Sequence, residues 1–271
     1  MKKIVFLILF SVFMLVESSA LAPIFLFVPA SPEGVDYGIA DDGLILPKSK
    51  TMFGIMGAAS LGVESGLYTY PLLSYYTAGG LVLKTGLSDK SEFRFAASGY
   101  LTGTVYISLQ FDFGYKHLIH KAKKSSTSLK LNFGGDVGAH PMFVFFAFSN
   151  PNSLSYAFTT NHILKLSFPT TFISKSVNIT VNPSIQESFG LSSYWFGPRT
   201  SFGFETVFSF WDKKQRINFN ISLNTSFDVQ YPVYVYYLRG IENYPNVSGR
   251  VGMAFSFLFS TNKSDWDNKK K

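Results

Sequence analysis

Apolar and polar residues alternate strictly along much of the chain after residue 50. The longest example is RINFNISLNTSFDV, residues 216–229. Every second residue from Ile217 to Val229 is apolar or Thr, and the residues between are Asn, Ser and Asp. Because successive side chains of a β-strand point to opposite faces, this pattern predicts a strand with one apolar and one polar face. Similar alternation covers residues 104–115, 127–137, 177–182, 201–210 and 251–259.

The length and number of these stretches predict an all-β, closed antiparallel up-and-down barrel that crosses a membrane. Several stretches keep the alternation for ten or more residues, whereas soluble strands average about 5–6 and a tilted strand needs about 9–11 to cross a bilayer. Short polar connections such as 88–91 and 212–215 alternate with long loops such as 186–199 and 230–249, as in outer-membrane barrels. We predict about twelve strands, within a range of ten to fourteen, near 37–46, 51–62, 66–75, 79–87, 92–101, 103–118, 127–138, 160–168, 176–186, 200–211, 216–229 and 249–260.

The composition indicates which face meets lipid. Hydrophobic residues make up 46% of the chain and charged residues only 15%, against about 25% charged in an ordinary soluble domain. The polar faces carry Asn, Ser, Thr and Gly rather than the Lys and Glu of a solvent-facing sheet. Turned inward, so many large apolar side chains would overfill the barrel, so we expect them to face lipid around a polar interior. The alternative is a soluble, secreted β-protein with an apolar core.

The N-terminus reads as an export signal. A basic start, MKK, precedes the apolar run from Ile4 to Val16, and small residues at Ser18 and Ala20 suit cleavage after Ala20. The alternative is an uncleaved membrane anchor. We therefore divide the chain into a signal peptide at 1–20, an N-terminal lead-in at 21–36, a transmembrane barrel at 37–260 and a polar periplasmic tail at 261–271.

The last predicted strand, RVGMAFSFLF at 250–259, resembles the C-terminal insertion signal of bacterial outer-membrane β-barrel proteins. Arg250, Gly252, Phe255 and Phe257 fill the polar, glycine and two aromatic positions of that motif in order. The chain departs from the usual pattern because the tail at 261–271 follows this strand. The resemblance points to no particular subfamily. It implies a location in the bacterial outer membrane, with the membrane lipid and the outer-membrane assembly machinery as partners.

Aromatic residues near predicted strand ends suit the membrane–water interface, which amphipathic rings prefer. Trp211 directly precedes the polar turn at 212–215, Tyr115 directly precedes Lys116, and Tyr76 and Tyr100 also lie near strand ends. The alternative is that Phe and Tyr are simply good strand formers.

Strand parity predicts eight charged residues that face the lumen. Four are positive and four are negative, so their charges cancel: Arg94, Lys130, Lys165, Arg250, Asp112, Asp136, Glu205 and Asp228. One interpretation is a pore lining whose field acts on solutes. The other is a network of paired charges that braces or plugs the lumen, because buried charges are normally paired. The surplus positive charge of the chain lies mostly in turns and the tail, so it does not predict an anion-selective pore.

Other chemistry finds little support in the sequence. His117 and His120 fall on opposite faces of a strand and are surrounded by lysines, so we expect no metal site. The chain has no Cys, which excludes a disulfide framework and thiolate ligands. It also lacks the GxSxG, HExxH and phosphate-loop motifs. We expect no cofactor, no enzyme activity and, because the lysines are scattered, no nucleic-acid partner.

The leading functional prediction is a passive channel for small hydrophilic solutes in the outer membrane. The first alternative is a non-conducting barrel with a structural or surface-binding role. The second is an outer-membrane lipid hydrolase with a Ser nucleophile, because such a site is defined by geometry rather than by sequence order.

Overall fold

The computed structural model describes residues 40–65, 72–102, 107–139, 158–191, 195–230, 233–235, 240–242 and 246–262. The predicted signal peptide and lead-in lie outside these ranges, as does nearly all of the predicted tail. Within the described ranges we find no helix with the length and hydropathy of a membrane span.

The described part of the chain forms thirteen β-strands in a single sheet. Their bounds are β1 Thr51–Ser65, β2 Leu72–Ser88, β3 Ser91–Thr102, β4 Ile107–Lys121, β5 Ser125–Ala139, β6 Phe158–Ser167, β7 Thr170–Phe172, β8 Asn178–Leu191, β9 Trp195–Trp211, β10 Ile217–Gln230, β11 Val233–Val235, β12 Gly240–Glu242 and β13 Asn246–Ser260.

The sheet closes on itself because its first strand pairs with its last. β1 is antiparallel to both β2 and β13, with Met52 opposite Ser260 at one end of the seam. β6 and β7 both pair with β5 and β8, so they are two parts of one wall strand, interrupted at Pro169. The barrel wall therefore has ten strands, and the short β11–β12 hairpin extends β9. The predicted closed antiparallel barrel is confirmed, at the lower limit of the predicted strand number.

Two errors explain why the sequence predicted about twelve strands. The described part of the predicted strand 37–46 is not a strand, and it lies inside the barrel. The predicted strands 66–75 and 79–87 coincide, in their described parts, with the single strand β2. Gly79 and Gly80 lie within β2, close to the predicted break between the two strands. Gly80 instead allows β3 to approach closely, since a Cβ there would lie 2.2 Å from the carbonyl oxygen of Ala97.

The two ends of the barrel differ in their connections. The short connections at 89–90, 122–124, 173–177 and 212–216 lie at one end, which we call the turn end, together with the start of β1. The opposite end, which we call the loop end, carries the longer connections, such as those between β5 and β6 and between β10 and β13. The predicted loop 186–199 is an exception. Most of it belongs to β8 and β9, and only residues 192–194 separate these two strands.

The two faces of the wall have the predicted orientation. On β10, Leu223 and Phe227 are each 50% exposed on the outside, whereas Asn220 and Ser222 are fully buried on the inside. The same contrast is seen on the other wall strands, where large apolar residues form an exposed outer band and the buried residues are mostly polar. This band is the surface that a lipid-facing barrel requires.

The predicted interfacial placement of the aromatic residues is only partly correct. Tyr115 does lie on the outside and is 44% exposed. Tyr76 and Tyr100 are buried inside the barrel and contact each other edge to face, with ring centroids 5.7 Å apart. Trp211 also turns toward the inside, where it packs against buried apolar residues. Some aromatic residues near strand ends thus fill the lumen instead of lying at the membrane interface. Their position along the sequence does not distinguish these two placements.

Candidate functional site

Residues 40–46, which we call the plug segment, occupy the lumen near the turn end. Ser256 on β13 donates a hydrogen bond to the carbonyl oxygen of Ala40 (2.7 Å). The indole Nε1 of Trp211 on β9 donates to Asp42 Oδ2 (3.0 Å). The backbone N–H of Gly43 donates to the Thr171 hydroxyl on β7 (3.0 Å). A short segment of chain therefore contacts strands on several sides of the lumen.

Gly43 is where the plug segment approaches the wall most closely. A Cβ at this position would lie 2.5 Å from Thr171 Oγ1 and 3.1 Å from Pro169 Cβ. The carbonyl oxygen of Gly43 accepts a hydrogen bond from Ser128 on β5 (3.1 Å). Because Gly43 has no side chain, its backbone N–H and carbonyl oxygen can both bond directly to wall hydroxyls.

An apolar cluster anchors the end of the plug segment. Leu46 is 5% exposed, and its backbone N–H donates to Glu92 Oε2 (2.9 Å). Its side chain belongs to a cluster of buried residues, against which Trp211 packs, that comprises Leu46, Met52, Met56, Val82, Ala96 and Leu258. This cluster sits among the polar residues of the lumen, and it excludes water near the point where the chain enters the wall.

The carboxylate of Asp41 lies at the centre of four cationic side chains, which we call the basic cluster. Its Oδ1 contacts Lys84 Nζ directly and lies 3.4 Å from Lys116 Nζ. Its Oδ2 lies 3.4 Å from both Arg94 and Lys130. All five side chains are at most 3% exposed. Both oxygens of one buried carboxylate are therefore shared among four buried cations.

The register of the wall strands sets like charges directly opposite each other in this cluster. Lys84 on β2 faces Arg94 on β3, and Lys116 on β4 faces Lys130 on β5. Like charges in opposite positions on paired strands repel each other. The wall alone would be destabilised here, and Asp41 supplies negative charge to both pairs.

Two wall carboxylates complete the cluster. Glu92 Oε1 lies 3.1 Å from Lys116 Nζ, and Asp112 pairs with Arg94. Asp112 also accepts hydrogen bonds from the Asn132 amide (3.0 Å to each oxygen). These carboxylates reduce the surplus positive charge but do not cancel it.

The structure turns all eight predicted charged residues toward the lumen and adds four that parity reasoning missed. Seven are 8% exposed or less, and Lys165 is half-buried. The additional residues are Lys84, Glu92, Lys116 and Arg199. Among the wall-strand residues whose side chains the structure describes, the inward charges are seven cations, Lys84, Arg94, Lys116, Lys130, Lys165, Arg199 and Arg250, and five carboxylates, Glu92, Asp112, Asp136, Glu205 and Asp228. Among these twelve side chains the cations outnumber the carboxylates by two, and the plug segment provides two further carboxylates, Asp41 and Asp42.

The loop end of the lumen is organised around smaller groups. Asp136 accepts hydrogen bonds from the Tyr100 hydroxyl (3.1 Å) and from the Asn161 amide (2.9 Å to each oxygen). Asp228 lies 3.5 Å from Arg250 Nε and accepts a hydrogen bond from Ser248 (3.0 Å). These partners lie on the same or neighbouring wall strands or, for Tyr100 and Asp136, two strands apart.

The middle of the lumen contains a small cavity of about 20 Å³. Lys165 and Glu205 both line it, and Glu205 accepts a hydrogen bond from Asn182 (3.2 Å). Ser184, Gln186, Ser201 and Asn224 complete the polar part of its lining. A space of this size holds about one water molecule.

The residues of the predicted insertion signal lie on β13, the strand that closes the barrel. Arg250 faces the lumen, Phe255 faces outward and is 42% exposed, and Phe257 stacks edge to face with Phe219 and Phe259. Gly252 lies on the lumen face, where a Cβ would be 2.5 Å from Asn224 Oδ1. Recognition of this strand by the assembly machinery stays a prediction. Within the described residues, no three His, Cys, Asp or Glu side chains converge as a metal site would require.

Comparison of the sequence with known proteins assigns the chain to no family. No family model matches the sequence, and no curated protein matches it. Among solved structures, the chain is similar to the outer-membrane protease OmpT from Escherichia coli, at 5% identity and a TM-score of 0.44 over 85% of this chain and all of that one.

Two further solved structures show the same level of similarity. The translocator domain of the autotransporter NalP from Neisseria meningitidis is 7% identical, with a TM-score of 0.40 over 78% of this chain and 89% of that one. An outer-membrane channel from Pseudomonas putida F1 is 8% identical, with a TM-score of 0.37 over 84% of this chain and all of that one. Likenesses this weak carry no argument about function. By its own strand pairing and two-faced wall, the chain has the architecture of bacterial outer-membrane β-barrel proteins.

Proposed function

We propose that this protein is an outer-membrane barrel whose lumen is closed, in the conformation described here, by its own plug segment. The observation that carries the proposal is the position of Asp41, which bonds to four cations from four consecutive wall strands. A non-conducting barrel was the first alternative to the passive channel predicted from the sequence.

The burial of the lumen supports this proposal. In a water-filled channel, inward side chains would be accessible to water. Here Ser128, Thr180, Asn218, Asn220, Ser222 and Ser256 all have an exposed fraction of 0%. The apolar cluster around Leu46 also interrupts the polar lining near the turn end. Both features oppose the free diffusion of hydrophilic solutes.

The passive channel for small hydrophilic solutes is the second candidate. The lumen is lined by Asn, Ser, Thr and Gln rather than filled by large apolar side chains, and such a lining suits a hydrated path. In this candidate the plug segment leaves the lumen before solutes pass. Neither candidate includes a catalytic step, a cofactor or a nucleic-acid partner.

The outer surface and the last strand support the remaining parts of the proposal. The exposed apolar band fits the hydrocarbon of the outer membrane. Arg250, Gly252, Phe255 and Phe257 on β13 are proposed to be read by the outer-membrane assembly machinery, and residues 1–20 are proposed to direct export.

Conductance in planar lipid bilayers tests whether the plug segment closes the lumen. We expect the wild-type protein to show no steady current. Asp41→Lys places a fifth cation among four, so repulsion should drive the plug segment out and a current should appear. Asp89→Lys makes the same charge change in the exposed turn between β2 and β3 and should stay silent. A steady wild-type current equal to that of Asp41→Lys would overturn the proposal.

A disulfide lock separates movement of the plug segment from general damage to the barrel. The chain contains no Cys, and the Cβ position of residue 43 lies next to the Thr171 side chain. Gly43→Cys with Thr171→Cys can therefore tether the plug segment to β7. In this background we expect Asp41→Lys to conduct only after the disulfide is reduced. Equal current before and after reduction would show that the current does not depend on release of the plug segment.

A further inference from the structure

We propose that the basic cluster is a binding site for carboxylate anions, and that Asp41 occupies it as an intramolecular ligand. The ligand class is a small carboxylate, or the carboxylate end of a solute, that enters when the plug segment leaves. The inference rests on the proposed plugged barrel, because the site becomes available only if the segment can separate from the wall.

The wall itself creates the need for an anion. Lys84 faces Arg94 and Lys116 faces Lys130 across paired strands, and all four side chains are at most 3% exposed. Buried charges require a partner of opposite sign. Asp112 and Glu92 contact Arg94 and Lys116, so among the described wall residues this cluster contains four cations and two carboxylates. These four strands therefore need an additional anion to balance their buried positive charge.

The geometry around Asp41 selects a carboxylate among anions. One oxygen of the group contacts Lys84 and Lys116, and the other contacts Arg94 and Lys130. Two oxygens of one planar group are thus each placed between two cations from different strands. A planar two-oxygen anion matches this arrangement, and charge-assisted contacts of this kind are the strong ones in proteins. A spherical ion such as chloride could satisfy only one of the two oxygen positions.

The plug segment lies between the site and the solvent at the turn end. The plug segment continues into Pro47, Lys48 and Ser49, which are exposed. Lys116 donates hydrogen bonds to the backbone carbonyl oxygens of Asp42 and Leu44 (2.8 Å each). The backbone of the plug segment therefore covers the cluster next to the exposed link, and a solute reaching the cluster from the turn end would replace this backbone.

Chemical rescue by formate tests the site in the full-length chain. Asp41→Ala removes the carboxylate and leaves space for a formate ion among the four cations. We expect this variant to unfold at a lower temperature than the wild type in lipid vesicles. Sodium formate should restore more than half of the lost unfolding temperature, with saturable dependence on its concentration, and should leave the wild type unchanged.

Two controls define what rescue means. Asp41→Asn fills the same space with an uncharged amide, so we expect destabilisation without rescue. Sodium chloride at the same ionic strength should stabilise Asp41→Ala less than formate does. Equal stabilisation of wild type, Asp41→Ala and Asp41→Asn by formate would overturn the site, and equal rescue by chloride would overturn its assignment to carboxylates.

The proposal stays testable if Asp41→Ala does not fold alone. The refolding yield is then measured in sodium formate and in sodium chloride at equal concentration, and equal yields contradict the site. The conductance test of the plugged barrel is independent of this result. A conducting wild type overturns the plugged barrel even where formate rescues the variant, and absence of rescue overturns the anion site even where the wild type is silent.

Discussion

The lumen near the turn end and the lumen near the loop end both contain buried ionised side chains, but their partners come from different parts of the chain. At the turn end, Asp41 belongs to the plug segment inside the lumen rather than to a wall strand, and it contacts four consecutive wall strands. At the loop end, Asp228 pairs with Arg250 on the neighbouring strand, and Asp136 bonds to Tyr100 and Asn161 on the wall. Asp228 and Asp136 at the loop end therefore bond to groups of the wall itself, whereas the four cations at the turn end share a carboxylate that the plug segment supplies.

This difference implies different responses to the loss of one charge. A single carboxylate that serves four cations is harder to replace than any one of the cations around it. Asp228 has Arg250 as its cationic neighbour among the described residues, and these two charges can be removed together. The experiments below test this contrast, in order of decreasing expected effect.

The largest effect is expected from Asp41→Leu at the turn end. Removing one partner of a buried ion pair typically costs about 3–5 kcal/mol because the other charge stays buried without compensation. We expect a loss of this size in the free energy of unfolding, measured with urea in lipid vesicles. Lys84→Met leaves Asp41 with three cations and should cost less than half as much. Equal losses in the two variants would contradict the central role of Asp41.

A double-mutant cycle at the loop end should give a smaller net effect. Asp228→Leu alone leaves Arg250 buried near an apolar side chain, and we expect a loss of about 3 kcal/mol. Asp228→Leu with Arg250→Met removes both charges and should lie within about 1 kcal/mol of the wild type, because buried pairs can often be replaced by apolar residues. A double variant as unstable as the single one would show that this pair also depends on other groups.

Tyr100→Phe removes one neutral donor from Asp136 and should cost about 1.5 kcal/mol, the usual value for a hydrogen bond to a charged group. Asp136 keeps its hydrogen bonds from the Asn161 amide, so both carboxylate oxygens still have a donor. Tyr115→Phe is the matched control, since the Tyr115 hydroxyl lies on the exposed outer face. Thermal unfolding of the two variants checks the prediction, and a Tyr115 effect as large as that of Tyr100 would argue against it.

The smallest effect on stability is expected at Asp212, which lies in the turn before β10 and outside the lumen. Its partial burial raises its pKa, but hydrogen bonds from the Ile217 and Arg216 backbone and from the Arg216 side chain outweigh this and hold the pKa below its ordinary value of 3.8. A lowered folded-state pKa means that the carboxylate stabilises the fold above pH 3.8 and loses this contribution as the pH falls through the folded-state value.

The comparison of Asp212→Asn with the wild type follows directly. We expect a small difference in unfolding temperature at neutral pH that shrinks on acidification below the ordinary pKa. Asp89→Asn in the exposed turn between β2 and β3 serves as the control. A difference between Asp212→Asn and the wild type that stays constant down to the most acidic condition would contradict the role of the ionised carboxylate.

The sequence was sufficient to predict the wall because its signal is local. Alternation in residues 216–229 follows from the geometry of a strand. Strand parity was therefore enough to predict that all eight charged residues face the lumen. The same parity, extended along β2, β3 and β4, includes Lys84, Glu92 and Lys116, which were overlooked. Arg199 was missed for another reason, because residues 186–199 were read as a loop.

The plug segment could not be predicted from its own residues. ADDGLIL at 40–46 alternates weakly and was read as the first strand. Its position in the lumen depends on residues far along the chain, such as Trp211 and Ser256, which hold Asp42 and Ala40. Pairs of like charge face each other across β2–β3 and β4–β5, and they indicate that an anion lies between them. These pairs can be recognised only once the register of the strands is known.

The seating of Ala40 and Leu46 against Ser256 and Leu258 has a consequence for biogenesis. Residues 40–46 leave the ribosome before β13 does, yet β13 provides part of the surface that they contact. The plug segment can therefore make all its contacts with the wall only after β13 has joined the barrel.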